Sequence, residues 1–298
     1  MRWKLIVKMK TGNIYKSKQG EVILMELYDR QLESLNVEYE DLTVKTRFGQ
    51  SHLLKLGNPK GKPLLLFHGG NRTTPYYLKG FTSLFEHFCM YAVDTIGHPG
   101  KSAQTILSAK SMEYGEWASD VIDSLGYQKM NCMGGSFGGG ILVKLMCVAP
   151  EKIEKSVLIV PSGISNVSVL NIVLKMGIPM VFYVLTGKEY WLKKAILPMA
   201  IHEKNIDEST YEMVKSTFEH VKVKTGMPSN VKMKDLKNCT VPIFLIAAEK
   251  DCMFPGRKVI AKAVKIFPNL KSYLLQNQGH LCVLPVDVMN MMIRFIEE

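Results

Sequence analysis

Ser136 stands in the run Cys132-Met133-Gly134-Gly135-Ser136-Phe137-Gly138-Gly139-Gly140, which contains the pattern Gly-x-Ser-x-Gly. An apolar stretch of strand character precedes the serine and one of helical character follows it. Gly134 and Gly138 remove the Cβ atoms that would clash at a sharp strand-to-helix turn. Such a turn strains the backbone of the serine and leaves its hydroxyl exposed above a sheet edge. A hydroxyl is a poor nucleophile near pH 7 unless a base takes its proton and a carboxylate holds that base in the right tautomer. Both partners occur later in the chain, each just past a strand-like run. Val241 to Ala248 leads into Glu249-Lys250-Asp251, and Ser272 to Leu275 leads into Gln276-Asn277-Gln278-Gly279-His280. Asp251 is preferred to Glu249 because it lies farther into its loop. The chemistry expected is acyl transfer through Ser136, with His280 as base and Asp251 as its orienting acid.

A developing oxyanion needs backbone donors. In His68-Gly69-Gly70-Asn71 the two glycines allow close approach of the backbone, so the N–H of Gly70 is one candidate and that of Phe137, directly after the nucleophile, is the second. His68 itself is read as structural. Asp94, which opens the loop Asp94 to Ser102, is read as fixing local backbone. The Gly100-Lys101-Ser102 tail of that loop imitates a phosphate-binding loop, but Thr95 stands where that motif needs glycine, so nucleotide binding is discarded. His52, His87, His202 and His220 fall on expected hairpin or helix faces. No zinc spacing and no dinucleotide fingerprint occurs, so neither a metal nor a cofactor is expected.

These residues need a scaffold of strands that all end on one edge. A helix is expected from Glu21 to Ser34, followed by a hairpin of Val37 to Thr46 and Ser51 to Leu56 about a Phe48-Gly49 turn. Pro63 to Phe67 is a continuous apolar run, as for a strand buried on both faces. Strand and helix signals then alternate: helix 76–89, strand 90–93, helix 111–125, strand 129–133, helix 137–149 and strand 156–160. The alternation lapses from Gly163 to Leu236, where only helical patterns rich in Met, Phe, Tyr and Trp are found. It resumes with strand 241–247, helix 257–267, strand 272–275 and helix 286–296. The fold class is α/β, a largely parallel sheet covered on both faces, with a helical insertion at 163–236 dividing a core of 37–162 and 237–298, and a leader at 1–36.

The composition fits an ordinary globular chain: 298 residues, 47% hydrophobic and 22% charged. A net charge of +11 raises the question of nucleic acid, but only six of the 38 basic residues are arginine and no basic run interleaves with aromatics. A solvated basic surface is the expectation. The six cysteines, at 89, 132, 147, 239, 252 and 282, form no Cys-x-x-Cys pair and sit mostly in apolar runs, as expected of reduced thiols. Leu5-Ile6-Val7 is too short for a signal-peptide core, and the apolar stretch Val167 to Leu185 is interrupted by Lys175 and by Gly177-Ile178-Pro179. A cytoplasmic protein without a membrane span is expected.

From about residue 37 onward, the motifs at His68-Gly69-Gly70, Asp94 to Ser102, Ser136, Asp251 and Gly279-His280 resemble the α/β-hydrolase superfamily in content and order. The segment Tyr91 to Ser102 and the helical leader are similar to bacterial carboxylesterase-like hydrolases. The resemblance implies an eight-stranded, mainly parallel sheet, a helical cap after the sixth strand, and hydrolysis through an acyl-enzyme. A carboxylic ester of small to medium acyl size is the expected substrate. His68-Gly69-Gly70 and Gly134-Gly135-Ser136 also resemble proline iminopeptidases, whose runs continue Pro-Gly and Trp-Gly where this chain has Asn71-Arg72 and Phe137-Gly138. An aminopeptidase would need a cap carboxylate for the substrate amine, with Glu189, Glu203, Glu208 and Glu212 as candidates. A ligand-binding protein with little turnover is the third alternative. Asn71 and the insertion residues Met180, Phe182 and Tyr183 are the candidate pocket residues, the last three as an apolar roof over Ser136.

Overall fold

The structure is a computed structural model that describes residues 12–222 and 226–298. The expected leader stretch Met1 to Lys10, with Leu5-Ile6-Val7, and positions 223–225 of the expected insertion lie outside the described residues.

Eight strands form one sheet: β1 (Tyr39–Thr46), β2 (Gly49–Gly57), β3 (Lys62–Phe67), β4 (Phe88–Val93), β5 (Met130–Gly135), β6 (Ile153–Ile159), β7 (Ile243–Ala248) and β8 (Leu270–Leu275). Their order is β1-β2-β4-β3-β5-β6-β7-β8. The β1–β2 and β2–β4 pairs are antiparallel and all others parallel, as the α/β expectation required. Register aligns the strand ends. Phe67 pairs with Val93 and with Gly134, Gly135 with Ile159, and Ala248 with Leu275. His68, Asp94, Ser136 and the loops carrying Asp251 and His280 therefore leave the same carboxyl edge, where open α/β sheets bind their ligands.

Alternation along the central strands divides the core in two. Leu65 and Phe67 face α3 (Glu113–Ser124), α4 (Phe137–Val148) and α9 (Gly256–Ile266). Leu64 and Leu66 face α1 (Lys18–Glu33), α2 (Thr74–Leu78) and α10 (Val286–Glu297). All four side chains are fully buried, which is why β3 reads as an unbroken apolar run. Each contributes roughly 1.5–3 kcal/mol of burial. Helix α4 is buried from Phe137 to Met146 on every side, as a helix apolar all round must be.

The expected helix 76–89 is not formed as one element. Pro75 in the first turn starts α2. A 3₁₀ stretch, Lys79–Leu84, then breaks at Phe81 (φ −136°, ψ 23°), and β4 already begins at Phe88. Gly80 next to the break supplies little helix propensity. Between β6 and β7 lie α5 (Val169–Ile172), a π turn (Val173–Gly177), α6 (Ile178–Thr186), α7 (Glu189–Ala200) and α8 (Glu208–His220). Helix α1, whose N-terminus is capped by Ser17 Oγ on the Gly20 N–H at 3.0 Å, is joined to this segment. Its Leu24 and Leu27 share a cluster with Met213 and Val221, Arg30 pairs with Glu212 at 2.6 Å, and Tyr15 forms an isolated bridge with Val221.

Candidate active site

Ser136 has φ 52° and ψ −111°, a conformation that costs a non-glycine residue of the order of 1–3 kcal/mol and persists only when its surroundings impose it. Here both sides are pinned. The Ser136 N–H donates to the Ile159 carbonyl at 2.9 Å, and its own carbonyl accepts the N–H groups of Ser162 at 3.0 Å and Gly140 at 3.1 Å. The glycines are steric requirements. A Cβ at Gly138 would lie 2.1 Å from the Phe67 carbonyl oxygen, and one at Gly134 would lie 2.6 Å from the Gly138 backbone. At Gly135 the neighbour is a side chain and not backbone, since a Cβ there would fall 2.0 Å from the Tyr77 hydroxyl.

His280 Nε2 lies 2.9 Å from Ser136 Oγ, and His280 Nδ1 lies 2.8 Å from Asp251 Oδ2. With Nδ1–H donating to the carboxylate, Nε2 is left as the acceptor for the serine proton. The second oxygen, Asp251 Oδ1, accepts the N–H groups of Met253 at 2.7 Å and Phe254 at 3.0 Å, so a fully buried carboxylate has all its strong partners. The Phe254 ring meets the imidazole edge-on at 5.3 Å. Glu249 is turned away. Its carboxyl accepts from the Asn277 N–H at 3.1 Å and the Arg257 guanidinium at 2.7 Å, and these two contacts hold it below the usual carboxylate range.

The Phe137 N–H opens α4, where first-turn amides have no intrahelical acceptor. Gly70 lies against the Phe137 side chain, from which a Cβ there would stand 3.3 Å away. His68 is fully buried, donating from Nδ1 to the Gly69 carbonyl at 2.7 Å and accepting the Thr95 N–H on Nε2 at 3.0 Å. Burial lowers its pKa. His98 Nδ1 accepts the Asn71 N–H at 2.9 Å, and burial followed by the neighbouring His68 lowers its pKa to about 3. Asp94 accepts from the Lys101 N–H at 2.8 Å, from the Thr74 hydroxyl and from His52. His52 is buried between Asp94 Oδ2 at 2.9 Å and Asp41 Oδ1 at 2.6 Å. Burial alone would lower its pKa, but the two carboxylates outweigh that and hold it above the usual value.

Above Ser136 opens a cavity of about 380 Å³. Ile159, Val160, Phe81, Leu281, Val283 and Leu284 give it apolar walls, and Arg72, Lys79 and Asp207 bring charge. The expected roof is not there. Phe182 is 42% exposed and stacks on Trp191 at 4.6 Å, Tyr183 is buried against Leu192 and Ile196 with its hydroxyl on Glu219, and Met180 packs on that same cluster. None of the three lines the cavity, and neither does Asn71, whose backbone is clamped between His98 and the Thr217 hydroxyl at 2.9 Å. Instead α5 to α6 leave Leu170, Leu174, Val181, Val184 and Leu185 more than half exposed. Glu189, Glu203, Glu208 and Glu212 also stand away from the cavity, where Asp207 is the lining acid. Sequence reasoning missed Arg72, Tyr77, Phe81 and the 281–284 loop. Only the position of Arg72, two residues past Gly70, offered a signal.

A mainly parallel eight-stranded sheet with a strained serine, an acid and a histidine just beyond the ends of β5, β7 and β8 has the architecture of the α/β-hydrolase fold. The comparisons agree. A family model described as the α/β-hydrolase fold matches residues 62–187. The chain is similar to carboxylesterase YbfK of Bacillus subtilis (strain 168), 27% identical over 264 residues and covering 86% of each chain. It is also similar to the carboxylesterase nap of the same organism, 23% identical over 262 residues, 86% of this chain and 85% of the relative. Among solved structures, that of carboxylesterase CesB (YbfK) superposes with a TM-score of 0.78 at 24% identity, covering 93% of this chain and 98% of the other. Naproxen esterase from Bacillus subtilis superposes with a TM-score of 0.75 at 20% identity, covering 94% and 99%.

Proposed function

We propose that this chain hydrolyses carboxylic esters through a covalent serine intermediate. Ser136 Oγ attacks the ester carbonyl while His280 Nε2 takes its proton, and the N–H groups of Gly70 and Phe137 receive the oxyanion. His280 then returns the proton to the alcohol oxygen, the C–O bond breaks, and the acyl group stays on Ser136. Water repeats the sequence, giving its proton to His280 and releasing the acid. Asp251 holds the imidazole in the tautomer that this exchange needs and stabilises the imidazolium. The observation that carries the reading is the chain of 2.9 and 2.8 Å contacts from Ser136 through His280 to Asp251, with Ser136 at a positive φ. The esterase relatives support the bond type.

In this reading the segment 163–236 is a cap over the core, and the substrate is a small-molecule ester. A cytoplasmic location is part of the proposal and is supported by the six free thiols. Burial raises those at Cys252, Cys147 and Cys282 to about 11, 12 and 12, so they act as small apolar groups and not as nucleophiles. The cavity's two cations against one acid also fit an ester better than the charged amine of an aminopeptidase substrate. Turnover of p-nitrophenyl butyrate beside proline β-naphthylamide decides between them. The ester is expected to be cleaved and the amide not. Cleavage of the amide alone would overturn the ester reading.

A further inference from the structure

We propose, building on the ester reading, that the cavity accepts esters carrying a carboxylate away from the scissile bond, and that Arg72 is the residue that holds it. Arg72 lines the cavity together with Ser136 and His280. A Cβ at Gly69 would lie 3.7 Å from Arg72 Cδ and 3.7 Å from Ser136 Cβ, so the arginine stem and the nucleophile flank one glycine.

The guanidinium is placed but not neutralised. Its Cζ stands 4.8 Å from the centre of the Tyr76 ring, and the Tyr76 hydroxyl is tied to Thr210 Oγ1 at 2.8 Å. The backbone is held on both sides, by the clamp on Asn71 and by Thr73, whose hydroxyl reaches Gln31 at 2.5 Å. Arg30, Arg47 and Arg257 each hold a carboxylate at 2.6 to 2.7 Å. Among the described residues no carboxylate oxygen comes within 4.0 Å of Arg72. The cavity's acid, Asp207, is already engaged, because its Oδ1 caps α8 by accepting the Thr210 N–H at 2.7 Å. Lys79 adds a second positive charge at the exposed rim.

A guanidinium fork matches a carboxylate with two parallel hydrogen bonds, and the partly enclosed cavity strengthens that attraction over its value in water. A neutral ester of the same shape leaves the fork to solvent. Two pairs of esters separate the possible positions of the charge. p-Nitrophenyl hydrogen adipate against p-nitrophenyl hexanoate puts the carboxylate at the end of the acyl chain, at a length where it does not readily attack its own ester. 4-Carboxyphenyl butyrate against phenyl butyrate puts it on the alcohol side.

The readout is the ratio of kcat/KM for the charged over the neutral ester. Arg72→Met, which keeps the stem, is expected to lower that ratio about tenfold or more in at least one pair, and Arg72→Lys by less. The wild-type ratio in that pair should shrink as salt is added, a measurement that needs no variant. Equal ratios in wild type and Arg72→Met for both pairs, with no effect of salt, would overturn the proposal. Failure of both neutral esters to turn over would instead overturn the ester reading, and this proposal with it.

Discussion

One carboxylate does two things at once: Asp251 Oδ2 meets His280 Nδ1 at 2.8 Å while Asp251 Oδ1 accepts the N–H groups of Met253 and Phe254 at 2.7 and 3.0 Å. The loop after β7 thus aims the acid, and the acid aims the imidazole. Asp251→Asn offers Nδ1 no matching acceptor in the same geometry and favours the wrong tautomer, so kcat should fall about 10⁴-fold. Glu249→Gln, changed at a surface group bound to Arg257, should stay within about tenfold of wild type. Steady-state kinetics on p-nitrophenyl butyrate checks both, and an exchange of the two outcomes would assign the acid to Glu249.

The turn at Ser136 is bought with glycine. A Cβ at Gly138 meets the backbone oxygens of Phe67 and His68 at 2.1 and 2.8 Å, and neither can move without breaking the edge of β3. Gly138→Ala should therefore destabilise the fold by about 2 kcal/mol or more. Gly80→Ala, with nothing within 4 Å of its Cβ, should change stability by less than about 0.5 kcal/mol. Urea unfolding of the two variants gives the comparison, and equal midpoints would contradict the steric account of the elbow.

Much of this arrangement was legible in the sequence because it rests on local rules. Continuous apolar runs marked β3 and β7, which are buried on both faces, and glycine spacing marked the turn at Ser136. Asp251 and His280 were legible from their places just past strand ends. The pocket was not. Phe182 and Tyr183 lie in an apolar helix whose pattern does not tell which face meets the cavity and which meets solvent, and they turned out to face Trp191 and Glu219. Phe81, Arg72 and Leu284 come together only through tertiary packing. His52 lies on the β1–β2 hairpin, as its place in the sequence predicts. Its burial between Asp94 and Asp41 depends on a loop that returns 42 residues later, which no local period encodes.

The cavity walls set an expectation for acyl length. Each buried CH₂ is worth about 0.8 kcal/mol, roughly fourfold in binding, so kcat/KM for p-nitrophenyl esters should rise from acetate to butyrate or hexanoate and then fall. Phe81→Ala, which widens the wall, should move the peak to longer chains. Phe182→Ala should leave it in place. A steady decline from acetate onward would remove the apolar walls from the account of substrate binding.

Two buried histidines should impose opposite slopes of stability against pH. His98 is held neutral, with its pKa lowered to about 3, so the unfolded chain binds its proton first. Its contribution is lost as pH falls below about 6.5, at up to about 1.4 kcal/mol per pH unit. His52 has a raised pKa, so its contribution is complete below about 6.5 and is lost as pH rises through the folded value. Melting temperatures of wild type, His98→Asn and His52→Asn from pH 4 to 9 test this. The gap between wild type and His98→Asn should narrow toward acid, and that with His52→Asn should narrow toward alkali. The same trend in both variants would contradict the assigned protonation states.

Ser136 is the proposed nucleophile, and covalent labelling reads that role directly. A fluorophosphonate should modify the intact protein once, the added mass should map to Ser136 in the peptide that spans Gly134 to Gly138, and Ser136→Ala should take up no label and cleave no p-nitrophenyl butyrate. Label on another residue, or ester cleavage persisting in Ser136→Ala, would contradict the account.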